Sequence, residues 1–470
     1  MTVLKAASRM LRGAAFVKSG SFFIEWPSED FRCKPDYEVT HMLSITKFGG
    51  SSLSCAARWR QVREIVCSDI ARRVVVVSAA GKRHADDHKI TDLLYLCHAH
   101  LRYGVPCWDL WRRIAERYLA IRDECAIDYP IEQDLEAIYS GLSAQTSADF
   151  LASRGEYLSA KLMAAYLGFS FVDAANWLQF DYTGAVLQEA SYAALQSLAD
   201  GRKIVTPGFY GAMPDGRIHT FSRGGSDITG SLAAAALHAD VYENWTDVPG
   251  ILAADPKIVK NPLPIPNLSY PELQLLSSAG TQVLHESAVE PVRARQIPLQ
   301  IRSTFQPELL GTRIGSGVAP DTAHTDVVGF AGRRSVSMLR ITAPTRLSEE
   351  TLCSVLSCLS ARSIRVFHST CGAEGICLLL RAGAKPEALH AAADALRAML
   401  PDAQVKLREN LALLLALCRT TQICPRLAAA IEAAGVPVHH LIQMPPALLL
   451  CVNDSQYETA LRAAYTAQKC

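Results

Sequence analysis

The stretch ITKFGGSSLS, Ile45 to Ser54, decides how the chain should be read. Ile45 to Phe48 favour a strand. The adjacent Gly49 and Gly50 cost backbone entropy in ordered structure, so they mark a tight turn or a close approach by another group. Ser51 and Ser52, leading into LSCAARWRQVREIV, have the composition of a helix start. Strand, Gly-Gly turn and helix N-terminus together expose unpaired backbone N–H groups and the positive end of a helix dipole, a ready site for an anion. Lys47 adds a full positive charge beside it. Taken alone, the same segment is also an ordinary βα turn, so the remainder of the chain has to choose.

Composition narrows the classes. The 470 residues suggest two to four domains, and 47 lysines and arginines nearly cancel 46 aspartates and glutamates. There is no global basic field of the kind nucleic-acid binders use, so no nucleic-acid partner is expected. The longest apolar run, near Leu411 to Cys418, is far too short to span a membrane. Fourteen scattered cysteines contain no CxxC pair, which gives no support to a zinc site and reads as free thiols in a reducing cytosol. No metal ligands are expected from the protein. Residues 1–41 carry Lys5, Arg9, Arg12 and Lys18 before any acid. They read as an extension outside the fold, either non-native, with Met42 beginning the domain, or a targeting segment. The chain is therefore expected in the cytoplasm, or in an organelle if 1–41 is a transit peptide.

From residue 42 to 314 strands alternate with amphipathic helices, the pattern of an α/β domain on a largely parallel sheet sandwiched by helices. VVVVSA (Val74 to Ala79) is a β-branched run suited to a strand buried on both faces. KIVTPGFYG (Lys203 to Gly211) and ADVYENWTDVPG (Ala239 to Gly250) read as further strands ending in turns, and residues 90–149 as mostly helical. Beyond a Gly/Ala/Pro/Asp stretch near residue 315, two segments, 325–400 and 404–470, each read strand, helix, strand, strand, helix. Two copies of a small βαββαβ unit suggest a paired regulatory module.

TFSRGGSDITGS, Thr220 to Ser231, holds a second Gly-Gly between an arginine and a Ser-Asp pair that opens a helix. Loops of this kind at the ends of parallel strands converge on one edge of the sheet, where α/β proteins bind ligands. One can hold phosphates, while the planar fork of Arg223 suits a carboxylate. No GxxxxGK[ST] is present, so a P-loop is excluded, as is the protein-kinase HRD and DFG set.

With these pieces on the page the chain resembles the aspartate kinases of the amino-acid kinase family. KFGGSS, VVVVSA, ITDLL, SRGE, FSRGGSD, WTDVPGILAADPKIV, SYPEL, VLHESAVE and IPLQIRSTF occur in the family's order, from about Leu43 onward. The paired C-terminal units resemble the tandem ACT domains of those kinases. The resemblance implies ATP and L-aspartate as substrates, magnesium bound through the nucleotide, and an amino-acid effector at the ACT-like modules, which would also join a homodimer.

The resemblance also implies a site. Lys47, Phe48, Gly49, Gly50 and Ser51 would grip the nucleotide phosphates, with Lys47 catalytic and Asp227 orienting it. Thr91 and Glu156 would meet aspartate, Glu156 through the substrate ammonium. Arg223 would clamp the α-carboxylate, with Gly224, Gly225 and Ser226 beside it. Thr246, Asp247, Leu252, Asp255, Lys257, Gln282 and Val283 would surround the nucleotide. Read without the resemblance, Thr91 and Ser226 are helix N-caps, and Ser153 with Glu156 is a capping box. The chain departs from the family's pattern at Leu252, where a tyrosine is common, at Gln282, where a lysine is common, and in Leu284-His285-Glu286, where the family has LHP. Lysine-sensitive relatives often carry an aspartate where SIRVFHST places Phe367, so weak or absent lysine inhibition is expected. The rival readings are a kinase for glutamate or acetylglutamate, and a catalytically weakened amino-acid sensor.

Overall fold

The structure is a computed structural model describing residues 42–468 apart from 281–283, 285, 317–325, 345–346, 373–374, 382 and 384. Residues 1–41, Gln282 and Val283 thus lie outside the described residues. The first part of the chain runs β1 (Ser44–Phe48), α1 (Ala56–Cys67), β2 (Arg72–Val77), α2 (Ile90–Arg102), α3 (Trp108–Glu124), α4 (Ile131–Ser140) and α5 (Ala148–Leu167). It continues through β3 (Ser170–Phe171), α6 (Gln188–Ala199), β4 (Ile204–Pro207), the hairpin β5 (Tyr210–Ala212) and β6 (Ile218–Thr220), and α7 (Gly225–Ala236). Next come β7 (Val241–Thr246), β8 (Asn267–Leu268), α8 (Tyr270–Ala279), α9 (Glu286–Ala294), β9 (Leu299–Ser303) and β10 (Thr312–Ile314).

These strands form an eight-stranded sheet ordered β3-β4-β2-β1-β7-β9-β10-β8, parallel throughout except for the β9–β10 pair. All five residues of β1 are buried, because both neighbours are parallel strands and helices cover both faces. Arg72 at the start of β2 reaches past β1 to a two-pronged ion pair with Glu243 of β7, at 2.8 and 3.1 Å. Both charges are buried, and the pair is compatible only with β1 lying between β2 and β7. The α/β architecture read from residues 42–314 is the one observed.

The C-terminal part comprises β11 (Val327–Thr342), α10 (Glu349–Ser360), β12 (Val366–Gly372), β13 (Gly375–Leu380), α11 (Pro386–Met399) and β14 (Gln404–Cys418). It ends with α12 (Cys424–Ala433), β15 (His440–Met444), β16 (Ala447–Asn453) and α13 (Tyr457–Ala467). Each half has the strand, helix, strand, strand, helix order read from sequence. The six strands form one antiparallel sheet, β12-β13-β11-β14-β16-β15. Its two long central strands are shared. Residues 327–333 of β11 pair with 413–418 of β14 beside β16, while residues 338–342 pair with 404–408 beside β13. Each half therefore borrows a strand from the other, with register breaks between Arg333 and Met338 marking the crossover.

One core runs through both sheets, since Ile251, Ala253, Ile265 and Leu276 cluster with Val327, Phe330 and Leu414. Helix α8 packs on β11 and β14. At its end Gly280 has φ +133°, and a Cβ there would lie 2.1 Å from the Gly332 carbonyl oxygen of β11. Among the described residues no helix is long and apolar enough to cross a membrane. Replacing Gly280 by alanine combines an unfavourable φ with a backbone clash, and should destabilise the chain by on the order of 2–4 kcal/mol. Urea denaturation of the variant checks this; an unchanged midpoint would mean the two sheets are not held at this contact.

Candidate active site

The site forms where β1, β2 and β7 end. Lys47 sits in β1 and is 7% exposed. Its Nζ lies 2.5 Å from Asp227 Oδ1, in the first turn of α7. The same carboxylate oxygen accepts from Asn244 Nδ2 at 2.9 Å, and the Asp227 carbonyl accepts from the Tyr242 hydroxyl at 3.0 Å. Strands β1 and β7 and helix α7 thus meet on one charged pair. Helix α7 enters through Gly224 in the left-handed conformation (φ 59°), and its N-cap has no side-chain hydrogen bond, so the expected Ser226 cap is not formed. Ser226 is instead buried, its Cβ filling the space where Gly208 has no side chain.

The Gly-Gly loop turns away from β1 with Gly49 N–H donating to the Trp245 carbonyl at 3.1 Å, and a short 3-10 helix, Gly50–Leu53, follows. A second loop, after β2, lies against it. Gly81 N–H donates to the Gly50 carbonyl at 2.8 Å, and a Cβ on Gly81 would come within 2.6 Å of that same backbone. The Phe48 side chain is fully buried and stacks on Trp245 with centroids 6.0 Å apart, so it is not itself available to a ligand.

Glu156 is 4% exposed and lies in the middle of α5, not at a helix start. Ser147 caps that helix by accepting from Phe150 N–H, and Ser153 donates to the Phe150 carbonyl. The capping-box reading therefore fails. The SxxE pattern falls two turns inside a helix that the less specific SADF segment begins. Gly155 explains the local sequence, because a Cβ there would lie 2.7 Å from the Ala79 side chain at the end of β2. Close packing at Gly155 brings Glu156 in beside the strand ends. Burial pushes its carboxyl up to about 8, opposed in part by the Ala79 and Glu156 backbone N–H groups and by the Arg154 and Lys47 charges. Its Oε2 has no hydrogen-bond partner. A buried, unpartnered carboxyl oxygen is costly, and it marks a place prepared for a donor from outside the chain.

Thr91 is the second residue of α2, whose N-cap is Lys89, so the N-cap reading of Thr91 is also corrected. Ile90 N–H donates to the Ala80 carbonyl at 3.2 Å, tying that helix start to the same loop. Arg223 is exposed and lines a cavity of about 690 Å³ together with Gly224, Asp227, residues of α8 and α9, and Arg333 and Arg381 of the second sheet. Thr246 ends β7 and donates to Asp247 at 3.2 Å. Leu252 makes an isolated bridge with Pro264. Asp255 and Lys257 are exposed, with Lys257 N–H donating to Asp255 at 2.9 Å. Their loop is held by the C-terminal helix, since Arg462 donates to the Ile258 carbonyl and the Tyr465 hydroxyl accepts from Leu263 N–H. The structure brings Lys47, Gly49, Gly50, Asp227 and the end of β7 together. No direct contact joins Arg223 to Glu156. Sequence reasoning missed Asn244, Gly81 and Gly155. Among the described residues no group of three or more His, Cys, Asp or Glu could hold a metal ion.

Comparison with known proteins places this geometry. The profile of the amino acid kinase family matches residues 42–303. Aspartokinase 3 of Bacillus subtilis is 37% identical over 333 residues, 63% of this chain and 73% of the relative. The crystal structure of aspartate kinase from Clostridium acetobutylicum superposes with a TM-score of 0.80 at 34% identity, covering 91% of this chain and all of the other. Aspartokinase III of E. coli, solved in complex with lysine and aspartate, gives a TM-score of 0.63 at 25% identity over 91% of this chain and 99% of its own. The chain belongs to the amino acid kinase family. Within that family it stands with the aspartate kinases.

The titration of Glu156 makes a stability prediction. Its carboxyl is raised in the folded state to about 8 from an ordinary 4.5, so the folded chain holds a proton that the unfolded chain has lost. Stability contributed here is intact below pH 4.5 and falls as pH rises toward 8. Glu156→Gln removes that loss. The variant should match the parent near pH 4.5 and exceed it by on the order of 3–4 kcal/mol at pH 8 without ligands. Melting curves across that range provide the check, and parallel curves for the two proteins would contradict the raised carboxyl.

Proposed function

We propose that the chain transfers the γ-phosphoryl group of ATP to the β-carboxylate of L-aspartate. The product is 4-phospho-L-aspartate, and the reaction is the first step toward threonine, methionine and, through diaminopimelate, lysine. The observation that carries the reading is the Lys47–Asp227 pair at a glycine-lined loop, with the unpartnered carboxyl of Glu156 also drawn to the strand ends. The aspartate bound in the E. coli relative and the family of the Clostridium enzyme support it.

The chemistry needs little from the protein beyond position and charge. The β-carboxylate is already an anion at neutral pH and requires no general base. It attacks the γ-phosphorus in line as the β,γ-bridging bond breaks, and ADP leaves. Lys47 meets charge on the transferring oxygens, and Asp227 with Asn244 keeps its ammonium aimed there. Gly49 N–H is already given to the Trp245 carbonyl, so the loop's donors to the phosphates are the Gly50 and Ser51 N–H groups, at no reorganisation cost. Magnesium bound to the nucleotide phosphates would supply further charge neutralisation. Glu156 releases its proton when a substrate ammonium arrives, and Arg223 takes the α-carboxylate. Thr91 lies beside the acceptor, and Thr246, Asp247, Leu252, Asp255, Lys257, Gln282 and Val283 border the nucleotide. We place the enzyme in the cytoplasm as a homodimer joined through its C-terminal modules, those modules being residues 325–400 and 404–470 and the catalytic domain 42–314.

Purified full-length protein incubated with MgATP, L-aspartate and hydroxylamine should give aspartyl hydroxamate. Lys47→Ala should lower kcat by at least a hundredfold, and Arg223→Lys should raise the aspartate KM by roughly 2–3 kcal/mol while leaving the ATP KM in place. Transfer to glutamate or acetylglutamate instead would name a different acceptor. Amino-acid binding without transfer to any acceptor would identify a sensor.

Regulation follows from the same reading. Phe367 lies in β12, half-buried under Arg333, whose guanidinium sits 5.8 Å from the ring. No carboxylate stands at that position to meet an effector ammonium, although Ser369 and Thr370 offer hydroxyls. Coupling between effector and active site is typically about 1–3 kcal/mol, so one lost charged contact removes most of it. A lysine titration at sub-saturating aspartate should show weak inhibition, and half-inhibition below a millimolar would contradict this.

A further inference from the structure

Two charges that the transfer does not use are among the most deeply buried in the chain. Arg117 on α3 and Asp87 in the loop between β2 and α2 are each 5% exposed, with Nη2 and Oδ2 2.6 Å apart. The other arm of Arg117, Nη1, donates to the Gly81 carbonyl at 2.9 Å and reaches the Ser54 carbonyl at 3.5 Å. Ser54 closes the phosphate loop, and Gly81 is the residue stitched to Gly50. One guanidinium therefore holds both loops that edge the site. Asp87 also accepts from Arg83, through its side chain at 2.9 and 3.1 Å and its backbone N–H at 3.0 Å, and these contacts hold its carboxyl well below the usual range.

The surroundings show what the pair does. Between Gly81 and Ile90, residues 82–86, 88 and 89 are all exposed, and Asp87 alone points inward. The segment KRHADDHK has no apolar anchor of its own, so its course depends on that one carboxylate. Its far end is Ile90, then Thr91. A buried ion pair of this kind contributes little more stability than well-packed apolar residues would, because both partners lose their hydration. What apolar residues could not do is fix two carbonyls and a loop carboxylate at once. The planar fork does.

We propose that Arg117 and Asp87 are positioning residues for phosphoryl transfer. Together they lock the loop of residues 81–89 onto the phosphate loop and so set Gly50 and Thr91 relative to Lys47. The proposal rests on the functional reading above, and it adds residues that touch neither substrate. Without the clamp the two loops still exist, but Gly81 no longer presses on Gly50 with fixed geometry, and a misplacement of an ångström in a transfer site is costly.

The test uses the full-length protein and four variants: Asp87→Asn, Arg117→Lys, Arg117→Ala and, as a surface control on the same helix, Arg113→Ala. Melting temperature, both KM values, kcat and hydrogen exchange are measured for each. Arg117→Ala and Asp87→Asn should lower kcat at least tenfold and raise the aspartate KM. Arg117→Lys keeps a charge for Asp87 but cannot reach both carbonyls, so it should recover the aspartate KM more than kcat. Exchange should quicken at residues 81–89 and the 49–54 loop and nowhere else. Arg113→Ala should behave as the parent. Unchanged kinetic constants in folded variants would overturn the proposal. So would loss of protection spread over the whole chain, since that is general destabilisation. If the parent phosphorylates no acceptor, the functional reading fails on its own; the clamp is then judged by exchange, and unchanged protection of 81–89 in Asp87→Asn would overturn it.

Discussion

An ammonium buried at the end of a central strand dictates much of what surrounds it. Lys47 belongs to β1, a strand paired on both sides, and its side chain is only 7% exposed. Such a charge is tolerated only with a partner. Asp227 supplies it at 2.5 Å, which requires the first turn of α7 to descend onto the strand ends. That approach uses Gly224 in a left-handed turn, and it leaves Gly208 no room for a side chain opposite Ser226. Asn244 and Tyr242, projecting from the adjacent parallel strand, then hold the carboxylate and the helix start. The order β2-β1-β7, the RGGSD turn and the glycine-rich loop are parts of one solution to one electrostatic problem.

The second sheet touches the catalytic part at the segments expected to face the nucleotide. Phe330 N–H donates to the Ala253 carbonyl at 2.7 Å, inside the loop that carries Leu252 and Asp255. Arg333 donates to the Ser278 carbonyl at 2.9 Å, and Gly332 presses on Gly280 at the end of α8. All three contacts come from β11, the strand both C-terminal halves share. A shift between those halves, transmitted along β11, would act on the backbone at Ala253 and at Ser278 to Gly280. Packed elements with a common core switch between discrete arrangements more readily than they deform, which suits this sheet to a regulatory role.

Legibility in the sequence followed the kind of signal each feature leaves. Gly-Gly turns and a β-branched run are local, so the α/β domain, the two βαββαβ units and the Lys47 charge beside its loop could be read directly, whereas the pairing of Lys47 with Asp227 came from the family resemblance. Glu156 could not be read directly. Ser153 and Glu156 match a capping box, and only the tertiary fit of Gly155 against Ala79 reveals that they lie mid-helix. The burial of the Phe48 side chain against Trp245 left no local mark either, because every residue of β1 is buried. Arg117 and Asp87 are thirty positions apart, and neither has a local pattern. The sharing of β11 and β14 was equally hidden, because each half shows its own complete run of elements.

Glu156 shows how the proposed site can be both stable and selective. Kept protonated at neutral pH by burial, it avoids the larger penalty of an isolated buried carboxylate. A ligand must then pay to remove that proton, at about 1.4 kcal/mol for each unit between ambient pH and its raised value. An ammonium placed beside it repays the cost through a charge-assisted hydrogen bond in a low-dielectric setting. A dicarboxylate without an amine cannot. It would leave Oε2 without a partner and would bring a further negative charge near it. A site that hydrogen-bonds a substrate group rejects analogues lacking it far more strongly than a pocket that merely fits shape. On the proposed reading Glu156 would restrict the acceptor to amino acids independently of Arg223 and the phosphate loop, with an acid that stays neutral until the right charge arrives.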